Sequence, residues 1–151
     1  MFPKKIDFNT DDFSKLKMSS LKRMADYWLR QYLLSKAKRK GLSKRIYCPI
    51  KNSWYPENKI HVAHYVDRAC MNLRYDLRNV KLISEQSNMW DSKVPHEGYK
   101  SKHHFEYSQI LSKKDKEYLE SNNVINIFAR QDYVTLIVKF RNKVALKNKN
   151  S

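Results

Sequence analysis

Between residues 42 and 66 the chain falls into runs that are short, β-branched and aromatic, separated by turn formers. Ile46-Tyr47-Cys48-Pro49-Ile50 is followed by Lys51-Asn52-Ser53, then Trp54-Tyr55-Pro56, then Lys59-Ile60-His61-Val62-Ala63-His64-Tyr65-Val66. Runs of this kind read as short strands. A polar, arginine-rich connection from Asp67 to Arg78 leads to a further strand, Asn79-Val80-Lys81-Leu82-Ile83-Ser84, and then to a helix from Glu85 to about Ser92 with Ser84 as its cap. The order is strand, strand, helix.

Helical patterns flank this region. Phe13, Leu16, Leu21, Met24, Trp28 and Tyr32 recur at helical steps with basic residues between them, predicting an amphipathic helix from Asp11 to about Lys40, broken near Ser19. Asp11 and Asp12 suit its positive end. Lys36, Lys38, Arg39 and Lys40 suit its negative end, before Gly41 stops it. That basic run reads equally well as a solvated helix end or as a DNA contact.

Val94 to Phe105, with Pro95, Gly98, His96, His103 and His104, reads as an exposed loop. Ser112 and Asp115 resemble a capping box for a helix ending near Ser121. Another helix is expected from Val124 to about Ala145, against the strand propensity of Val134-Thr135-Leu136-Ile137-Val138, and Lys147 to Ser151 reads as a frayed tail. The expected fold class is α+β. One domain spans residues 1–151, with a basic helical region at 1–41, a strand-rich core at 42–93 and a loop and helical region at 94–151.

Charge narrows the partner. Lys and Arg number 31 against 15 acidic residues, a formal net charge of +16 on 151 residues. Such an excess repels itself unless a polyanion is usually near, and nucleic acid is the leading candidate. With 41% hydrophobic and 13% aromatic residues the chain is too apolar for a disordered polycation. No apolar run reaches membrane-spanning length, and the start, Met1 to Phe13, lacks the apolar core of a signal peptide, so a soluble, cytoplasmic protein without a membrane partner is expected. The only cysteines, Cys48 and Cys70, fit neither a disulfide framework nor a four-thiolate zinc site.

Hydrolysis of a phosphodiester needs water, a base and a cation. His64, Asn79 and Asn88 are the residues that a strand-turn-strand-helix path folds toward one place. Taken singly each is ordinary, because strand histidines and capping asparagines are common. Together, the spacing His-x14-Asn-x8-Asn, with Arg68, Arg74 and Arg78 around it, resembles the HNH motif of the ββα-metal endonucleases in its variant with a terminal Asn. The likeness is closest to the NinG/Rap branch of phage recombination nucleases. It rests on Ala63-His64-Tyr65-Val66-Asp67-Arg68, Leu73-Arg74-Tyr75, Asn79-Val80 and Ser84-Glu85-Gln86-Ser87-Asn88, with His61 completing a His-x-x-His, and covers about residues 46 to 93.

The resemblance implies a ββα-metal core in which His64 is the general base, Asn79 holds the base-bearing loop, and Asn88 binds Mg²⁺ or Mn²⁺ with help from His61. Arg68, Arg74 and Arg78 would contact DNA, although Arg68 or Arg74 could instead pair with Asp67 or Asp76. Two departures matter. The family's Cys-x-x-Cys is replaced by Ser84 and Ser87, so a structural zinc is expected to be absent, with Trp54, Tyr55 and Trp90 packing in its stead. Ala63 stands where many HNH proteins carry a metal-binding Asp. The expected function is a divalent-metal-dependent DNA endonuclease acting on duplex or branched DNA in phage recombination or intron mobility, and in a phage setting it would work in the host cytoplasm. A non-catalytic DNA-binding module with the same shape and a basic RNA-associated protein are the alternatives. A homodimer is left open.

Overall fold

The computed structural model describes residues 5–89 and 108–150 and has mixed α+β architecture, with helices and small antiparallel sheets. It divides into two compact units. One joins the chain up to Ser35 with the chain from Ile127 onward, and the other is Lys36–Asn126.

The first unit rests on two long helices. Helix α1, Met18–Lys36, buries Leu21, Met24, Ala25, Trp28, Leu29 and Tyr32. These fall at i, i+3, i+4, i+7, i+8 and i+11, one continuous apolar stripe. The C-terminal helix, Arg130–Lys149, buries Tyr133, Ile137 and Phe140, and the Tyr32 and Phe140 rings lie 5.6 Å apart. Before α1 the chain is tied down by polar contacts. The Trp28 indole donates to the Phe8 carbonyl at 2.9 Å, and Arg130 and Arg141 donate to the Phe13, Leu16 and Thr10 carbonyls.

Among the described residues, the strands all lie in the second unit. β1 (Arg39–Lys40), β2 (Arg45–Cys48) and β3 (Ser53–Tyr55) form an antiparallel sheet in that order. A 3-10 turn, Glu57–Lys59, leads to β4 (Ile60–His64), which pairs antiparallel with β5 (Val80–Ser84) from Ile60↔Ser84 to His64↔Val80. Between β4 and β5 lies the one-turn helix α2, Met71–Arg74. β5 runs without a break into α3, Glu85–Met89, whose first turn is capped by the Ser84 hydroxyl accepting from the Ser87 N–H at 3.2 Å. Helix α4, Lys113–Ser121, begins at Ser112, whose hydroxyl accepts from the Asp115 N–H. Counting from there, the C-terminal helix is α5. The core of this unit is Cys48, Ala63, Tyr65, Val66, Cys70, Leu73, Ile83, Leu111 and Leu119.

Three sequence expectations are corrected. The first helix starts at Met18 and not at Asp11, because Asp12 accepts from both the backbone and the hydroxyl of Ser14, a local turn that competes with a helical one. The Ser14 hydroxyl bond also holds the Asp12 carboxyl below its ordinary pKa. The same helix ends at Lys36, and Arg39 and Lys40 pair with Ile46 and Arg45. Gly41, at φ 75°, turns a hairpin in which Lys44 N–H donates to its carbonyl at 3.1 Å. Third, α5 begins at Arg130 rather than Val124, and the Val134–Val138 run is helical throughout. Its β propensity yields to the burial of Tyr133, Ile137 and Phe140 at i, i+4 and i+7, a spacing that only a helix aligns. The expected packing of Trp90 and the loop from Val94 to Phe105, with its three histidines, lie outside the described residues.

Candidate functional site

The continuous register of β4 with β5 makes β4 a regular strand, so its side chains alternate between faces. His61 and Ala63 share one face; Ile60, Val62 and His64 share the other. Asn88, on α3, places its amide nitrogen 3.3 Å from His61 Nδ1. Glu85 stands three residues earlier on the same helix, with one carboxylate oxygen 3.8 Å from His61 Nε2 and the other accepting from Lys59 Nζ at 3.1 Å. The i, i+3 spacing puts Glu85 and Asn88 on one side of α3. His61, Glu85 and Asn88 are therefore neighbours, each partly open to solvent.

The other half of the site is the connection from Tyr65 to Asn79. The His64 ring is half-buried and bonds through Nε2 to the Arg74 carbonyl at 2.9 Å. A carbonyl only accepts, so that nitrogen carries the hydrogen and the lone pair of the neutral ring sits on Nδ1. Asn79 is fully buried. Its Oδ1 accepts from Val66 N–H at 2.6 Å, and its Nδ2 donates to the Val66 and Leu73 carbonyls at 3.2 and 3.0 Å. The Asn79 carbonyl in turn accepts from Tyr65 N–H at 3.0 Å. One amide thus pins the residue two beyond His64 and the residue next to Arg74, the two ends of the His64 contact.

The arginines divide. Arg68 is exposed. Arg74 is buried, its guanidinium donating to the Arg68 carbonyl at 3.3 Å. Arg78 forms a two-point pair with Asp76 and lies over the Tyr118 ring at 3.4 Å, and its pKa is raised chiefly by the hydrogen bond to Asp76. Of the three arginines expected to meet DNA, Arg68 and Arg78 are exposed, Arg78 with its guanidinium paired to Asp76, while Arg74 is buried and offers its backbone carbonyl to His64.

The structure brings Asn88 to His61, while strand alternation turns His64 to the opposite face of β4 from His61. Ala63 is 1% exposed and belongs to the core, so a carboxylate at that position would be buried among apolar side chains. Glu85 was missed by sequence reasoning, although its place three residues before Asn88 on a helix was the available signal. Where the resemblance would put zinc thiolates, the Ser84 and Ser87 hydroxyls bond each other at 2.9 Å, and Cys48 Sγ accepts from Ser84 N–H at 3.2 Å. Among the described residues no three His, Cys, Asp or Glu side chains come together as a metal site. Comparison with protein-family models, curated proteins and solved structures finds no match to this chain. No described helix is long and apolar enough to cross a membrane.

Proposed function

We propose that this chain is a divalent-metal-dependent DNA endonuclease built on an HNH-like ββα core, formed by β4, β5 and α3. The observation that carries the reading is the His64 ring, at the end of β4, held by the Arg74 carbonyl in a connection clamped by buried Asn79, on the strand whose other face carries His61 set against Asn88 of α3. The hydrogen on Nε2 leaves Nδ1 as the basic atom, as a general base requires. In this reaction His64 takes a proton from water, the water oxygen bonds to phosphorus, the bond from phosphorus to the departing sugar oxygen breaks, and that oxygen is protonated from solvent.

His61, Asn88 and Glu85 are the residues that would hold the cation. As they stand, Asn88 lies at Nδ1 of His61 and Glu85 at Nε2, so the fit to a single cation is one imidazole nitrogen and, after half a turn of the Asn88 amide, one amide oxygen, with Glu85 joining only if it leaves Lys59 and changes rotamer. Oxygen donors suit Mg²⁺ and Mn²⁺, and the imidazole shifts preference toward Mn²⁺. Bound there, a cation would offset charge on the phosphate and the departing oxygen. The net charge of +16 supplies affinity for the polyanionic substrate without reading sequence.

A non-catalytic DNA-binding module is favoured by one specific observation, the engagement of Glu85 with Lys59 together with an apolar Ala63. Purified protein incubated with plasmid and with branched DNA, in Mg²⁺, Mn²⁺ or chelator, separates the two. Cation-dependent cleavage that disappears in His64→Ala supports the nuclease. Binding without cleavage in every cation leaves the module.

A further inference from the structure

From Lys36 to Arg45 six of ten residues are basic and none is acidic. In the second unit the last of these residues form a hairpin, with β1 and β2 joined by Gly41, Leu42, Ser43 and Lys44. Residues 38–45 are all exposed. The register places Lys40 opposite Arg45 and Tyr47 opposite Trp54, so these four share the face away from buried Ile46 and Cys48. Lys40 Nζ lies 5.6 Å above the Trp54 ring. Arg39 is spent on Glu57. At the tip, Leu42 is 105% exposed, more than any other large apolar residue described.

A single exposed leucine is ordinary on a protein surface; what distinguishes Leu42 is its place at the tip of a basic hairpin. Its surroundings indicate the chemistry of a partner that would suit it. With Glu57 taken up by Arg39, the remaining cations Lys38, Lys40, Lys44 and Arg45 suit a polyanion, and two-stranded ribbons enter the grooves of duplex DNA. An apolar side chain presented amid phosphate-binding cations is the arrangement with which proteins wedge between base pairs from the minor groove and kink the helix. Building on the proposed DNA substrate, we propose that the β1–β2 hairpin is a groove-entering ribbon whose Leu42 unstacks a base step, while Lys38, Lys40, Lys44 and Arg45 grip the flanking phosphates.

The two roles separate experimentally. Binding of the full-length protein to a duplex carrying 2-aminopurine is followed in chelator, so the readout does not depend on cleavage. Wild type raises the fluorescence of the unstacked base several-fold. Leu42→Ala abolishes that rise while changing affinity only a few-fold, and Leu42→Phe, a larger wedge, retains it. The variant Lys40→Gln/Lys44→Gln/Arg45→Gln, on exposed positions that leave the fold intact by circular dichroism, lowers the slope of log affinity against log salt by about 2 to 3. Equal fluorescence from Leu42→Ala and wild type overturns the wedge. An unchanged salt slope, or tighter hairpin-dependent binding to duplex RNA than to DNA, overturns the ribbon. Failure of cleavage with these signals intact would instead remove the nuclease reading and leave the DNA-binding hairpin standing.

Discussion

Asn79→Ala removes one side chain and leaves three backbone groups without their partner. The Val66 N–H and carbonyl and the Leu73 carbonyl all lie in the core, at residues 1% exposed, and water cannot replace the lost bonds without opening the connection. Each net bond is worth about 1 kcal/mol and each buried group left unmet costs about 1–3, so the substitution should destabilise the second unit by roughly 3 kcal/mol or more. For a chain of this size that lowers the melting midpoint by roughly 6–12 °C. Asn79→Asp should do no better. It keeps the acceptor for Val66 N–H and turns a carboxylate oxygen toward two carbonyls. Thermal and urea unfolding followed by circular dichroism measures the shift, and hydrogen exchange at the Val66 amide reports the clamp itself. An Asn79→Ala protein melting within about 2 °C of wild type, with Val66 exchange unchanged, would refute the clamp.

The remaining expectations concern the site and its partners. His64→Ala should lose about 10²-fold or more of the cleavage rate at every cation concentration, because metal cannot replace a base. His61→Ala and Asn88→Ala should instead regain part of their activity at high Mn²⁺, and cleavage by His64→Ala at the wild-type rate would sink the assignment. Elemental analysis of the purified protein should find less than one zinc per chain, since the Ser84 and Ser87 hydroxyls are poor ligands; stoichiometric zinc would point to Cys48 and Cys70 with histidines. Duplex DNA affinity should fall by orders of magnitude between low and physiological salt, and a flat dependence would remove the polyanion argument.

Local signals in the chain were enough for those features whose cause is itself local. The Ser84 and Ser112 caps each depend on a hydroxyl and a backbone N–H three residues on, and both helices begin where those residues predict. The apolar stripe of α1, the short strands around Ile46, Trp54 and Ile60, and the passage of β5 into α3 follow in the same way from periodicity and turn residues. Other features depend on partners distant in sequence. Val134 to Val138 carries a strand preference worth fractions of a kcal/mol per residue, and burial of Ile137 and Phe140 beside the α1 stripe outweighs it. Arg39 and Lys40 leave the helix because a ladder with Arg45 and Ile46 is on offer. Arg78 is exposed, but its pairing with Asp76 and its stacking on the Tyr118 ring, forty residues on, depend on the fold. The decision of greatest consequence for function was of this kind. Composition places histidines at 61 and 64, but only strand register with β5 and the course of α3 determine that Asn88 and Glu85 meet His61, and only the fold of the intervening connection carries the Arg74 carbonyl to His64.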